Sequence, residues 1–250
     1  MTHRARLPGA SRLPALAILL GSLWLAGCAT QSQGLAGSER EASPADAYTQ
    51  LGIAYLERNN LQRAMGALDR ALSIDANDPE ALQAMAMIYQ RQGERQLADE
   101  TFRRALSANR DFTRGRNNYA AFLYDQGRIR EACEQLEQAS SDAQYPQRAQ
   151  LFANLGQCQR ELGDIGAARR SLERAQSIDP RSARSYYTLA ELEVAEGNLE
   201  RAQQQIDTFI RLAGPSREAL SLARDIAQAR GDRTTAAFYS EQLDGRSGTP

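Results

Sequence analysis

The chain has 250 residues with 30 basic and 31 acidic side chains, a single histidine and a formal net charge of −1, and every basic residue is arginine. A near-neutral chain without a basic block is a poor match for nucleic acid, whose phosphates need clustered cations. The absence of lysine removes the P-loop, Schiff-base and Ser-Lys chemistries.

The first element is a leader. Arg4, Arg6 and Arg12 precede the uncharged run Leu13–Gly27, whose 15 residues are too few for a membrane-spanning helix. Charge, apolar core and small residues in that order mark residues 1–27 as a cleavable secretory signal. The run closes on Leu25-Ala26-Gly27-Cys28. This resembles the lipobox of bacterial lipoproteins, in which the thiol is acylated, the chain is cut before it, and the new N-terminus is acylated too. The resemblance implies that Cys28 is a lipidation site, bearing palmitate-type chains, that anchors the protein without crossing the bilayer. Several acyl chains hold firmly where one holds marginally. Ala29 stands where an Asp would retain such a lipoprotein at the inner membrane, so the expected location is the outer membrane, on its periplasmic face.

Cleavage removes His3 and three arginines, leaving 27 basic against 31 acidic residues, a net of −4. Without histidine, the Ser-His-Asp and Cys-His arrangements and the usual zinc sets are unavailable. No catalytic residue, metal, cofactor or small-molecule substrate is expected. Residues 28–43 are small, polar and aperiodic, and read as a tether reaching about 20 Å if flexible.

From residue 44 to 244 a repeat dominates. Gly93, Gly127, Gly163, Gly197 and Gly231 follow one another at 34, 36, 34 and 34 residues, and Asn59 lies 34 before the first. Asn ranks after Gly for the left-handed conformation of a tight turn. Five residues after each comes an alanine: Ala64, Ala98, Ala132, Ala168, Ala202 and Ala236. Leu68, Phe102, Leu136, Leu172, Ile206 and Ser240 follow four residues later. Gly52, Ala86, Ala120, Gly156, Ala190 and the exception Arg224 precede the turns by seven, mostly after a large apolar residue. This resembles the tetratricopeptide repeat, a 34-residue helix-turn-helix unit. The resemblance implies an all-α fold, a right-handed superhelical solenoid of six repeats at about 45–78, 79–112, 113–148, 149–182, 183–216 and 217–244. Neither helix of a unit buries its apolar side alone, so units stack on their neighbours. The sixth unit is the most polar, as a capping unit should be, and 245–250 read as a disordered tail.

Cys133 and Cys158 match no metal or redox spacing. A bridge is permitted in an oxidising compartment, but a buried free thiol is the commoner state and is the expectation.

Tetratricopeptide arrays usually bind through the groove lined by the first helix of each repeat. Apolar groove positions concentrate in repeats one to three, at Ile53, Leu56, Met87 and Tyr124, and these are the expected partner-binding residues. The competing reading is that Ile53 and Leu56 complete the N-terminal core. Tyr187 could extend the site or simply pack. Thr49 and Ile53 occupy the positions where carboxylate-clamp arrays carry Lys or Arg and Asn, so that clamp is not expected.

The third repeat narrows the resemblance. Residues 116–156 are similar to the PilF/PilW family of type IV pilus biogenesis lipoproteins. An N-N-Y-x-x-F-L-Y segment is met by Asn117, Asn118, Tyr119, Phe122, Leu123 and Tyr124. An A-S-x-D-x-x-Y-P-x-R loop is met by Ala139, Ser140, Asp142, Tyr145, Pro146 and Arg148, and explains the 36-residue step. The resemblance implies a pilotin, an outer-membrane lipoprotein, expected as a monomer, that binds the pilus secretin and supports its localisation and multimerisation. The Tyr145-Pro146 loop is either a second contact or merely a shaped connection. The alternative is an adaptor lipoprotein of another envelope system, such as a regulator of cell-wall enzymes.

Overall fold

The structure is a computed structural model that describes residues 43–247. The leader, Cys28 and nearly all of the tether lie outside the described residues. Twelve helices and no strand occur among the described residues. They are α1 Pro44–Glu57, α2 Leu61–Ile74, α3 Pro79–Gln92, α4 Arg95–Ala108, α5 Thr113–Asp125 and α6 Ile129–Ser140. Then follow α7 Arg148–Glu161, α8 Ile165–Ile178, α9 Ala183–Ala195, α10 Leu199–Ala213, α11 Arg217–Ala229 and α12 Arg233–Ser247. They form six antiparallel pairs in a tetratricopeptide solenoid. The helix of the last pair continues to Ser247, so the expected loose tail from 245 is corrected: Gly245 weakens a last turn by about 1 kcal/mol but does not stop it.

Local chemistry sets the ends. Ser43 caps α1 in a reciprocal box, its hydroxyl accepting from the Asp46 N–H at 3.1 Å while its own N–H donates to the Asp46 carboxylate at 2.9 Å. Asp78 caps α3, accepting from the N–H groups of Glu80 and Ala81, with Pro79 supplying the first helical residue. The buried Thr49 hydroxyl donates to the other Asp78 oxygen at 2.6 Å, which ties the first pair to the second. Each pair turns through one residue with positive φ: Asn59 at 56° and then five glycines between 72° and 81°. A β-carbon is strained there, and Asn tolerates the position best after Gly.

The small residues let paired helices approach. A β-carbon built on Gly52 would lie 2.6 Å from Leu68 Cγ, and one on Gly156 would lie 2.5 Å from Leu172 Cγ. Ala64, Ala98, Ala132, Ala168 and Ala202 are fully buried opposite these positions. The core is a string of four clusters along the array rather than one centre. Met85, Tyr119, Leu155 and Leu189 are at most 4 % exposed because the preceding pair covers them, whereas Leu51, which has no preceding pair among the described residues, is 43 % exposed beside Tyr48.

The expectation for the cysteines is overturned. Cys133 of α6 and Cys158 of α7 form a disulfide, with their α-carbons 5.6 Å apart. Stacking of the fourth pair on the third brings both buried side chains face to face, which the linear spacing does not reveal.

Candidate functional site

Successive odd-numbered helices approach one another along most of the array, and successive even-numbered helices do not, so the odd helices line the inner side. One joint differs. α1 meets α3, α3 meets α5, α7 meets α9 and α9 meets α11, but the backbones of α5 and α7 make little direct contact. Its cause lies in the longer connection. α6 is 12 residues long, and seven residues, 141–147, lead to α7, where other pairs are joined by three or four. α6 and α7 themselves make the most extensive contact between neighbouring pairs, sealed by the disulfide. The fourth pair therefore swings about α6 and opens a gap between α5 and α7.

That gap is a cavity of about 340 Å³ lined by Asn117, Asn118, Tyr124, Gln150, Asn154 and Gln157, among others. Only side chains bridge it. Asn154 Nδ2 donates to Asn117 Oδ1 at 3.3 Å, and Gln157 Nε2 to the Tyr124 hydroxyl at 3.0 Å. Arg184 of α9 closes one side, donating to Asn154 Oδ1 at 3.4 Å and Gln157 Oε1 at 3.3 Å. Gln157 and Arg184 also line a second cavity of about 450 Å³, so the two adjoin at these side chains. There Tyr187 and Phe209 pack edge to face with ring centres 5.1 Å apart. Burial and the Glu191 carboxylate push the Tyr187 hydroxyl pKa up, so it stays a neutral donor. Arg160 is engaged by Glu161 and Glu191; burial would lower its pKa, but these carboxylates raise it.

The structure treats the four expected groove residues unequally. Leu56 is 4 % exposed and packs with Met85 and Ile88 of α3, so it is a core residue and not part of an accessible surface. The close approach of α1 and α3 covers a leucine, whereas the corresponding Gln90 and Arg160 extend polar ends from the same position. Ile53 and Met87 are half-buried against the same cluster. Gln83 and Asn118 direct amide N–H groups at the Met87 sulfur, at 3.5 and 3.8 Å. Tyr124 is half-buried and lines the first cavity. Leu56, Ile53 and Met87 thus share one cluster, while Tyr124, in the third pair, lines the cavity.

The motif residues divide as well. Asn117, Asn118 and Tyr124 face the gap, while Tyr119 is 4 % exposed, with its hydroxyl donating to Asp99 at 2.7 Å and accepting from Arg103 Nε at 3.1 Å. Arg128 donates to the same Asp99 oxygen at 2.6 Å. Burial alone would raise the Asp99 pKa, but Tyr119 and Arg128 bring it below the usual range. In the loop, Asp142 accepts from the Thr113 hydroxyl at 2.7 Å and the Gln144 N–H at 2.9 Å, which pins 141–147 to the start of α5 and lowers its pKa. Tyr145 packs against the central cluster, Pro146 is exposed, and Arg148 stacks over Phe152 at 5.6 Å. The amides Gln150, Asn154 and Gln157, and Arg184, were missed, since polar residues at helical spacing look like any solvated face. No group of acidic, histidine or cysteine side chains suited to a metal occurs among the described residues.

Tetratricopeptide repeat models match residues 45–88, 81–115, 111–181 and 159–226. The fold and its inner groove thus define a tetratricopeptide scaffold, a class that works by holding other proteins. Type IV pilus assembly protein PilF of Pseudomonas aeruginosa is 34 % identical over 228 residues, covering 90 % of each chain. The solved structure of P. aeruginosa PilF superposes with a TM-score of 0.76 at 35 % identity, covering 82 % of this chain and 93 % of that one. That of PilW, described as a widely conserved type IV pilus biogenesis factor, gives 0.75 at 27 % identity, over 83 % and 96 %. The chain belongs to the PilF/PilW family of tetratricopeptide proteins of type IV pilus biogenesis.

Proposed function

We propose that the protein is a lipid-anchored pilotin of the outer membrane. It binds the type IV pilus secretin through the inner face of the array and supports the secretin's localisation and multimerisation. Family membership across 90 % of the chain is the observation that carries this reading. The leader ending in Cys28 supports the anchor, and the groove lined by odd helices supports capture without chemistry. Ile53, Met87 and Tyr124 are apolar contacts that this face offers; Leu56 acts only by holding the first pair against the second. The anchor confines a bound client to a thin layer at the membrane and so raises its effective concentration for assembly. The reading is tested by affinity capture from solubilised envelopes, with the secretin as the expected prey. The Cys28→Ala variant should still capture it but should leave the outer-membrane fraction. Capture of cell-wall enzymes in place of a secretin would favour the adaptor alternative. A Cys28→Ala variant that stays in the outer membrane would refute the lipid anchor.

A further inference from the structure

We infer that the widened joint between the third and fourth pairs is a subsite for an extended polypeptide strand. The strand's backbone is held by the side-chain amides of α5 and α7, and one carboxylate side chain on it is held by Arg184. This rests on the inner face being the binding face, as proposed above, but not on which client it takes.

Interiors of packed arrays close gaps of this size, and the backbones of the other successive odd helices lie closer together than those of α5 and α7. The α5–α7 joint is instead kept open by the longer loop and kept in place by the disulfide. Its lining is amide-rich, with Asn117, Asn118, Gln150, Asn154 and Gln157. A carboxamide carries the acceptor and donors of a peptide group, so such a lining pairs with backbone whatever the side chains. The bonds now made across and beside the gap are amide–amide (Asn154 to Asn117, 3.3 Å), amide–hydroxyl (Gln157 to Tyr124, 3.0 Å) and guanidinium–amide (Arg184 to Asn154 and Gln157, 3.4 and 3.3 Å), contacts whose amide ends a strand's backbone can take over. A helix, 10–12 Å across, does not fit between residues already within hydrogen-bond reach of each other.

Arg184 gives the subsite its charge preference. It is exposed, its bonds go to the neutral oxygens of Asn154 and Gln157, and it forms no ion pair among the described residues. Arg160 beside it is already committed to Glu161 and Glu191. A guanidinium oriented by neutral acceptors and lacking a carboxylate is arranged for a carboxylate brought by a ligand, which it can bind through two N–H groups. Asp125 lines the first cavity and Glu218 the second, so a second acid on the strand is disfavoured in either. Past Arg184, the Tyr187–Phe209 pair offers an apolar seat. The matching segment is extended, has one central Asp or Glu, and carries an apolar residue a few positions away.

The test is selection of a phage-displayed library of random dodecapeptides on the full-length chain purified in detergent, followed by fluorescence anisotropy with the recovered peptides. The expected sequences share one acidic residue near an apolar one. Arg184→Glu, at an exposed position, should weaken them at least tenfold and select Lys or Arg in place of the acid, and Arg184→Gln should weaken them without that reversal. Asn118→Ala should weaken all recovered peptides alike. Recovery of no peptide, equal affinity for Arg184→Glu, or recovery of basic or helix-forming sequences without an acid would each overturn the inference. Secretin capture from envelopes is read separately, so loss of one result leaves the other standing.

Discussion

Breaking the Cys133–Cys158 bridge should cost the array more than any single side-chain truncation at the surface. The bridge closes a loop of 25 residues, which in the chain-entropy model removes roughly 12 cal/mol/K from the unfolded ensemble, or about 3.5 kcal/mol at 25 °C. For a folded unit of about 200 residues, each kcal/mol moves the midpoint by about 2–4 °C, so the expected fall is about 7–14 °C. The assay is thermal unfolding followed by circular dichroism, on the wild type with and without dithiothreitol and on Cys133→Ala/Cys158→Ala. The reduced wild type and the double variant should melt at nearly the same temperature, and reductant should leave the double variant unmoved. Two results refute the reasoning: a wild-type midpoint that ignores reductant, or labelling of both cysteines by a thiol reagent in the denatured, unreduced chain.

The remaining expectations concern packing, charge and the binding face. Gly156→Ala should destabilise by about 1–3 kcal/mol in urea unfolding, since the added methyl would meet Leu172 and the Ala168 carbonyl oxygen in a filled interface. Arg169→Ala removes the charged partner of Glu193, whose side chain is 3 % exposed and keeps only the Asn198 amide, and should cost about 3 kcal/mol at pH 7. Burial would raise the Glu193 pKa, but Arg169 and Asn198 hold it below the usual range; its contribution is therefore present above the ordinary glutamate pKa and fades as pH falls through the lowered one. The difference between wild type and Arg169→Ala, measured by urea unfolding from pH 7 to pH 3, should narrow with acid. Ile53→Glu should weaken client capture with little change in melting, whereas Leu56→Glu should lower the melting midpoint through the first pair before any binding effect can be read.

The repeat was legible because close helix approach demands small residues at a fixed step. Gly52, Ala86, Ala120, Gly156 and Ala190 therefore write the architecture into the chain. The 36-residue step was legible too, as a longer loop, but not its effect, since the opening of α5 from α7 depends on how α6 packs. Leu56 was misjudged for a related reason: its helical position faces the groove, but only the separation of α1 and α3 decides whether that position is covered. The cysteine pair was hidden because its partners meet across a junction between pairs, where linear distance carries no information. The amides and Arg184 left no mark, since amides and an arginine on one side of a helix read as an ordinary solvated face and only the packing of α5, α7 and α9 brings them together.

The core divided into four clusters has a consequence for damage. Each cluster is completed within two or three adjoining pairs, so a lesion such as a clipped loop or an oxidised side chain near one terminus disturbs its neighbourhood and spares the opposite terminus. Such a molecule ages by fraying from its ends, and the stretch holding the sulfur–sulfur link should be the last to go.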